Sequence, residues 1–473
     1  MESTLDLTGL PATSLLRIYD PAVQGNSFSL DGFPTPRPGG DWFSRLGEII
    51  EAQGILGMTT NQTLFKQLAE AGVLDDRLRA LKAQGRSAKE SYWTLYNEAA
   101  TRAAGAFRAV HERWPWEGRV SQEASALLTE LEPLVQEVRR IARAMEGVGA
   151  FTKIPNLAVG PEAIRKVLES DRVVHPNITL VFSDLHYLDT VEGTLRGLSD
   201  RVDHLRRQGS SEEEIRRQIG RIFSVNSLFV SRVDRLVDPM IAERIRQTAD
   251  PTQRRRLERL RGKTAVAQAK KVSQIFRAVF LEVQFPDPER LYADEEGQTL
   301  LRKIERLSTL YRRLKPFGLH PQRLLIASSG VKSDQPYSPL LYVLPFLGPW
   351  SANTMPEGTL EAVSRFVGRL SDSEAAALRK RDLMAEPLPD LPAGAPLSDW
   401  ERAVRMSPQE RRKEGIAEAT PDQILREVRE LVLHPAGASL RSLCGTLRDQ
   451  GAASFAADEQ ATLGAIQSKL QTL

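Results

Sequence analysis

Short, partly apolar runs alternate with long amphipathic stretches along most of the chain. Eight such runs recur, and they cover residues 26–31, 54–60, 118–123, 149–155, 177–183, 224–233, 323–328 and 348–355. The stretches between them are rich in Ala, Leu, Glu and Arg, residues that favour helices. Strands that alternate with helices predict parallel βαβ units, and eight of them predict an α/β fold closed into a (β/α)8 TIM barrel.

Three regions extend this expected barrel with added helices and loops. Residues 284–319 form a long connection before the seventh strand. The Pro-rich stretch 387–396 (PLPDLPAGAP) predicts a loop, and with the charged stretch after it forms an insertion at about 380–415. A helical C-terminus is expected at about 421–473. We expect residues 1–473 to form a single barrel domain that carries these additions.

Composition excludes several classes of protein. The 473 residues are 41% hydrophobic and 26% charged, as in globular chains that bury a large core. The single cysteine, Cys444, excludes an intrachain disulfide framework, and we expect it in the core of the C-terminal segment. A net charge of +3 and 6% aromatic residues disfavour nucleic-acid binding, and the six histidines form no close-spaced metal pair. The start MESTLDLTGL and the lack of a long apolar run predict a cytoplasmic protein without a membrane span.

Polar residues follow the expected strands at the end of a barrel where function normally lies. Two carboxylates and a lysine stand out among them, namely Asp31, Glu123 and Lys153. A lysine among apolar groups is disfavoured as an ammonium, and its neutral amine can form a Schiff base with a ketone. The Schiff base promotes cleavage of a nearby carbon–carbon bond while carboxylates move the protons. Further polar residues at these ends are Thr59, Asn61, Asn177, Thr179, Ser227, Arg232, Ser328 and Lys332.

These residues also have ordinary structural interpretations. Lys153 could reach solvent with its stem packed on apolar groups. Asp31 could be a turn or capping residue, and Glu123 could begin the helix that follows it. Arg232 could form a surface ion pair with Asp234. No single residue therefore identifies a catalytic site.

Eight short segments nevertheless occur in a specific order within about residues 20–370. They are 57–63 (GMTTNQT), 119–123 (RVSQE), 151–155 (FTKIP), 177–183 (NITLVFS), 227–234 (SLFVSRVD), 262–269 (GKTAVAQA), 323–332 (RLLIASSGVK) and 353–356 (NTMP). The ordered set resembles the transaldolase family of the class I Schiff-base aldolase superfamily, in its longer bacterial and plant-plastid type. A weaker match runs from about residue 421 to the end. The resemblance implies a barrel enzyme that needs no metal or organic cofactor.

The resemblance also implies a role for each candidate residue. Lys153 would form the Schiff base with a donor ketose phosphate, and Glu123 would relay protons through a water held with Thr179. Asp31 would take the proton of the donor's C4 hydroxyl during cleavage and return it during addition. The implied substrate-binding residues are Thr59, Asn61, Asn177, Ser227, Phe229, Arg232, Ser328 and Lys332, with Arg232 and Lys332 on the phosphate.

The implied reaction belongs to the pentose phosphate pathway. It transfers a dihydroxyacetone unit from sedoheptulose 7-phosphate or fructose 6-phosphate to an aldose phosphate. The expected partners are therefore sugar phosphates, with no nucleic acid and no membrane, and the chain could be a homodimer or a monomer.

The chain also departs from the family pattern. Gln62 stands where the family has proline, and Asn156 and Leu157 replace an Ala-Thr pair. Asp41 rivals Asp31 as the catalytic aspartate, but we prefer Asp31 because residues 27–31 (SFSLD) resemble the family's S-I-W-L-D segment. Asp41 instead resembles a residue that begins a helix. These departures leave two alternatives, namely a related Schiff-base aldolase acting on a non-standard sugar, and a catalytically silent barrel that acts as a binding partner.

Overall fold

The structure, a computed structural model, contains a closed barrel of eight parallel strands in chain order. It describes residues 9–37, 40–60, 62–170, 173–284, 295–332, 335–391 and 395–473. The barrel strands are β1 (Ser27–Asp31), β2 (Gly57–Thr59), β3 (Arg119–Glu123), β4 (Ala150–Pro155), β5 (Pro176–Val181), β6 (Val225–Phe229), β7 (Arg323–Ala327) and β8 (Ser351–Met355). Each of the eight predicted runs overlaps one strand, and β8 pairs with β1 to close the barrel. The predicted (β/α)8 fold is confirmed.

Helices surround the barrel and form most of the additions to it. They are α1 (Trp42–Gln53), α2 (Gln62–Glu70), α3 (Asp75–Ala83), α4 (Ala88–Ala106), α5 (Arg108–Arg113), α6 (Leu131–Ala144), α7 (Gly160–Glu169), α8 (Asp184–Arg207), α9 (Glu212–Ile219), α10 (Ser231–Gln247), α11 (Pro251–Leu260), α12 (Thr264–Phe280), α13 (Glu295–Leu314), α14 (Glu357–Gly368), α15 (Asp372–Lys380), α16 (Leu397–Arg405), α17 (Pro408–Lys413), α18 (Pro421–Val428) and α19 (Leu440–Thr472). Side chains cap several of them. Ser87 accepts a hydrogen bond from the Glu90 amide at the start of α4, and Ser183 accepts one from the His186 amide at the start of α8.

The strands lie between the helices and the barrel interior, so both of their faces are covered. Strands β3 to β6 are buried at every position. This burial explains why the sequence shows apolar runs there without regular alternation of polar residues. Gly57 lets β2 approach β3, because a Cβ at this position would lie 2.8 Å from the carbonyl oxygen of Arg119.

Buried polar and aromatic groups fill the amino-terminal end of the barrel. Arg323 Nη1 lies 2.9 Å from Glu117 Oε1, and the Ser27 hydroxyl donates to Glu117 Oε2 at 2.8 Å. The Arg119 guanidinium packs 5.3 Å from the ring centroid of Phe151. The ion pair and the hydrogen bond offset the cost of burying these charged groups. In a barrel of this kind the functional site is expected at the opposite, carboxyl-terminal end.

The segment between α15 and α18 forms a small structure of its own. Strand β9 (Leu388–Pro389) lies within the Pro-rich stretch that predicts a loop, and it pairs antiparallel with β10 (Glu418–Ala419). Helices α16 and α17 connect these two strands. Residues 392–394 of the Pro-rich stretch lie outside the described residues.

Two lysines attach this segment to the barrel helices. The Lys263 ammonium lies 2.5 Å from Asp390 Oδ1, and the Lys270 ammonium donates to the carbonyl oxygen of Glu386 at 2.9 Å. Burial lowers the pKa of Lys270 to about 7, although the nearby Glu386 carboxylate acts in the opposite direction. We propose on these contacts that the segment belongs to the same domain as the barrel.

The C-terminal helix α19 packs against α2 and α4 at the carboxyl-terminal end of the barrel. Cys444 is buried in this helix, where its thiol donates to the carbonyl oxygen of Phe182 at 3.3 Å. In the long connection before β7, α13 is described, whereas residues 285–294 lie outside the described residues. None of the described helices combines the length and the apolar character that crossing a membrane requires.

Candidate active site

A lysine and a glutamate meet inside the barrel on neighbouring strands. Strand register pairs Glu123 of β3 with Lys153 of β4, so both side chains point to the same face of the sheet. Lys153 Nζ lies 3.2 Å from Glu123 Oε1, with side chains that are 7% and 1% exposed. Lys153 Nζ also donates to the carbonyl oxygen of Thr60 at 3.4 Å. The lysine side chain is therefore largely buried, and proton exchange with Glu123 is within reach.

Burial is the largest influence on the ionisation of Glu123. Burial raises the pKa of Glu123 above its ordinary value, and the Asp31 carboxylate acts in the same direction. The cations Lys153 and Arg232 oppose that rise. Apart from the Lys153 ion pair, neither carboxylate oxygen of Glu123 has a hydrogen-bond partner within the described part of the chain. Thr179 Oγ1, on strand β5, is also buried without such a partner.

Asp31 lies at the end of β1 and is oriented by a chain of hydroxyl groups. The Thr59 hydroxyl donates to Asp31 Oδ1 at 2.9 Å and lies 2.8 Å from the hydroxyl of Thr354. Because the Thr59 proton points to Asp31, Thr354 donates to Thr59. Asp41 instead caps α1 by accepting the amides of Phe43 and Ser44, which is the helix-start position that its sequence context indicates.

A second hydroxyl and amide network holds Asn177. The Ser227 hydroxyl donates to Asn177 Oδ1 at 2.6 Å, and Asn177 Nδ2 donates to the Ser121 hydroxyl at 2.9 Å. These two bonds fix the orientation of the fully buried amide. Asn61, which sequence reasoning assigns to the same site, lies outside the described residues.

Cations lie at the open end of the barrel. Arg232, near the start of α10, packs 5.3 Å from the ring centroid of Phe229. Burial lowers the pKa of Arg232, while Asp31 and Glu123 act against that change. Lys332 is exposed at the rim, and the Ser328 hydroxyl between them lies 3.0 Å from that of Ser231.

Asp234 next to Arg232 is not on the surface, so the surface ion pair considered from the sequence is wrong. It is fully buried and accepts hydrogen bonds from the Ala265 amide at 2.8 Å and the Tyr342 hydroxyl at 2.9 Å. The hydrogen-bond partners of Asp234 are therefore the Ala265 amide and the Tyr342 hydroxyl, and not Arg232.

A cavity of about 310 Å³ joins these groups. It is lined by Asp31, Thr59, Thr63, Lys153, Ser227, Phe229, Arg232, Ala327, Ser328, Gly330, Lys332, Thr354, Pro356 and Phe455. Eight of the twelve residues expected from the sequence therefore line one cavity. Among the others, Glu123 contacts Lys153 and Asn177 contacts Ser227, whereas Thr179 lies on β5 opposite Pro155. No group of three His, Cys, Asp or Glu side chains suited to a metal ion occurs in the described part of the chain.

Six of the lining residues were not expected from the sequence, and among them Thr354 and Phe455 contact expected residues. Thr354 belongs to the NTMP segment at the end of β8, and its position at a strand end is the signal that could have identified it. Phe455 lies on α19, and its ring centroid is 5.3 Å from Lys153 Nζ. No local motif marks Phe455, because its place depends on how α19 packs on the barrel.

Comparison with known proteins identifies the family of this chain. The chain matches the transaldolase/fructose-6-phosphate aldolase family over residues 43–388. It is 32% identical over 319 residues to a transaldolase of Saccharopolyspora erythraea, an alignment that covers 67% of this chain and 73% of the relative. It is 31% identical over 322 residues to a transaldolase of Thermobifida fusca, with 67% and 74% covered. A transaldolase of Trichodesmium erythraeum is 28% identical over 320 residues, with the same coverage.

The family match extends over most of the chain and includes seven of the eight barrel strands, β2 to β8. The relatives are alike in name and in the length of their alignments. The chain thus belongs to the transaldolase/fructose-6-phosphate aldolase family and is a transaldolase enzyme, a transferase.

Proposed function

We propose that this transaldolase transfers a dihydroxyacetone unit from a ketose phosphate to an aldose phosphate through a Schiff base on Lys153. The observation that carries the proposal is the 3.2 Å contact between Lys153 Nζ and Glu123 Oε1 inside the cavity. An amine beside a buried acid can lose and regain protons without bulk solvent, as Schiff-base chemistry requires. The pathway proposed for it is the pentose phosphate pathway, with sedoheptulose 7-phosphate or fructose 6-phosphate as the donor.

Formation of the Schiff base requires a proton donor, and we assign this role to Glu123. The free amine of Lys153 attacks the C2 carbonyl of the donor and forms a carbinolamine. Protonation of its hydroxyl by Glu123 releases water and leaves the iminium. The raised pKa of Glu123 suits this step, because a buried acid retains its proton at a higher pH than an exposed one. Thr179, whose hydroxyl is buried without a protein partner among the described residues, would hold the water that relays the proton.

Cleavage assigns a role to Asp31. Its carboxylate takes the proton of the C4 hydroxyl, the C3–C4 bond breaks, and the electron pair moves into the iminium to form an enamine. The aldose phosphate then leaves, and the acceptor aldehyde reacts with the enamine by the reverse steps. Thr59 and Thr354 support this role, since their hydroxyl chain keeps one carboxylate oxygen bonded and fixes the carboxyl plane.

Substrate recognition divides between the interior and the rim of the cavity. The proposed contacts for the hydroxyl groups of the donor are Asn177, Ser227, Thr59 and Asn61. Recognition of the phosphate is assigned to Arg232, Ser328 and Lys332, because two cations and a hydroxyl at the open end suit a phosphate dianion. Phe229 supports the Arg232 guanidinium from one side.

Borohydride trapping tests the proposal directly. The protein is incubated with fructose 6-phosphate and sodium borohydride, digested and analysed by mass spectrometry. We expect a reduced three-carbon adduct on Lys153, whereas Lys332 serves as an unmodified internal control and Lys153→Met gives no adduct. An unmodified Lys153 in the wild-type protein would refute the Schiff-base proposal and leave a barrel with a binding role.

The acceptor requires a separate assay. Transfer from fructose 6-phosphate to erythrose 4-phosphate is followed by the release of glyceraldehyde 3-phosphate. An adduct on Lys153 without this transfer would favour an enzyme that acts on a non-standard sugar. Gln62 motivates this alternative, because it replaces the family's proline and accepts a hydrogen bond from Tyr92 beside the cavity residue Thr63.

A further inference from the structure

One face of the C-terminal helix α19 covers the open end of the barrel. Its buried residues recur at intervals of three, four or eight positions, and they are Cys444, Leu447, Gly451, Glu459, Thr462 and Ile466. Phe455 occupies the middle of the eight-residue interval, on the same face of the helix. It is only partly buried by protein, because its ring lines the cavity.

Polar contacts before and after Phe455 hold the helix in place. Before it, the Cys444 thiol donates to a carbonyl oxygen at the end of β5. After it, Asp458 Oδ2 accepts the Thr63 hydroxyl at 2.5 Å, and Glu459 accepts the Ser125 hydroxyl at 2.8 Å. Closer to the C-terminus, the Lys469 ammonium lies 2.5 Å from an aspartate of α3. The position of the ring is therefore set by contacts with several barrel elements.

Gly451 allows the helix to approach the site closely. A Cβ at this position would lie 2.7 Å from Leu180 Cδ2 and 3.2 Å from Arg232 Nη1. Leu180 itself has a left-handed backbone with φ 63°, where the register of β5 shifts. A left-handed leucine is strained, and such strain is retained only where packing requires it. Gly451 on α19 and the irregular backbone of β5 at Leu180 thus allow the helix to lie close to the groups that line the cavity.

The Phe455 ring lies over the lysine proposed to react. Its centroid is 5.3 Å from Lys153 Nζ, 5.9 Å from the Arg232 guanidinium carbon and 6.4 Å from the ring of Phe229. Phe455 lies beyond residues 43–388, the part of the chain that matches the family. The cavity is therefore completed by a residue that this match does not include.

We propose that Phe455 determines which nucleophile the Lys153 intermediate meets, by keeping water from the three-carbon unit until an aldehyde acceptor enters. This inference rests on the proposed Schiff-base function. After cleavage, protonation of the enamine carbon would give an iminium, to which water can add at C2. The carbon–nitrogen bond then breaks, the water-derived proton returns to solvent, and dihydroxyacetone and the free lysine amine are released. An apolar ring over the nitrogen hinders this hydrolysis, whereas an aldehyde can react with the enamine directly.

The quantity to measure is how the Lys153 intermediate divides between hydrolysis and transfer to an aldehyde acceptor. Purified full-length protein is supplied with fructose 6-phosphate, and glyceraldehyde 3-phosphate release is measured with and without erythrose 4-phosphate. For Phe455→Ala we expect the ratio of acceptor-independent to acceptor-dependent release to rise about tenfold over wild type. Phe455→Leu retains apolar bulk, so we expect a smaller rise.

A matched control separates the ring from the helix. Leu447→Ala removes a buried apolar side chain from the same face of α19, away from the cavity lining, and should leave the ratio unchanged. An unchanged ratio in Phe455→Ala, or an equal rise in Leu447→Ala, would overturn the assignment to Phe455. Borohydride trapping is carried out in parallel on each variant. Absence of the Lys153 adduct in the wild type would refute the proposed function itself, whereas a normal adduct with an unchanged ratio would refute only this inference.

Discussion

Replacement of Glu459 by glutamine should reduce the loss of folding stability that occurs as the pH rises. Glu459 is 3% exposed on α19, and both of its carboxylate oxygens lie 2.8 Å from the Ser125 hydroxyl. Burial raises the pKa of this carboxyl to about 7, and the nearby Glu137 and Glu123 carboxylates act in the same direction. Glutamine has almost the same shape and can still accept from Ser125, but it cannot ionise.

The magnitude follows from the difference between the folded and unfolded pKa of Glu459. The ordinary value is 4.5 and the folded value is about 7, and each pKa unit corresponds to about 1.4 kcal/mol, so full ionisation costs roughly 3 kcal/mol. Because the folded pKa is the higher one, the stability contribution is fully present below pH 4.5 and is lost as the pH rises through 7. Most of that loss falls between pH 5 and pH 8.

Urea unfolding at pH 5 and pH 8, followed by tryptophan fluorescence, measures this effect. Between these two values we expect Glu459→Gln to lose roughly 2–3 kcal/mol less free energy of unfolding than wild type. Other buried groups titrate in both proteins, so their contributions cancel in the comparison. Exposed Glu213→Gln makes the same charge change and should follow wild type. Equal pH dependence in Glu459→Gln and wild type would refute the reasoning about burial.

Three further predictions concern the site. Asp31→Ala should lower kcat by roughly 10²- to 10⁴-fold, whereas Asp41→Ala should cost only about 1 kcal/mol of helix stability. Steady-state rates and thermal unfolding are measured for both variants. A larger rate loss in Asp41→Ala would reverse the assignment of the catalytic aspartate. Arg232→Ala should raise the donor KM about tenfold or more with a smaller effect on kcat, and an unchanged KM would remove Arg232 from the phosphate site. Gly451→Ala should also raise the donor KM, by a few-fold, because its Cβ would displace Arg232 or Leu180; wild-type kinetics would show that the close approach is not needed.

The strands could be predicted from the sequence because their physical cause is local. The run at 149–155 is apolar apart from Thr152 and Lys153, and β4 is buried throughout, as a strand in a closed barrel must be. The contact between Lys153 and Glu123 could not be predicted in the same way. It depends on the stagger between β3 and β4, and a shift of one residue would place the two side chains on opposite faces.

Asp31 and Asp41 illustrate how far local sequence signals can distinguish similar residues. Asp41 follows two glycines and precedes an amphipathic stretch, and the structure places it at the cap of α1. Asp31 ends a strand, which indicates the correct end of the barrel but not its partners. The hydroxyl chain through Thr59 to Thr354 joins β1 to β2 and β8, and only closure of the barrel brings these strands together.

The part played by α19 could not be predicted, because its buried face is not distinctly apolar. Gly451, Glu459 and Thr462 are buried on it, although glutamate and threonine in a helix normally indicate the solvent side. Their burial is physically consistent, since Glu459 accepts from Ser125 and the glycine meets a close neighbour. A helix that packs on a polar, partly open barrel end needs such residues, whereas one that packs on an apolar core needs leucines. The mixed face of α19 therefore supports the proposal that this helix contributes to the site through Phe455, which lines the cavity.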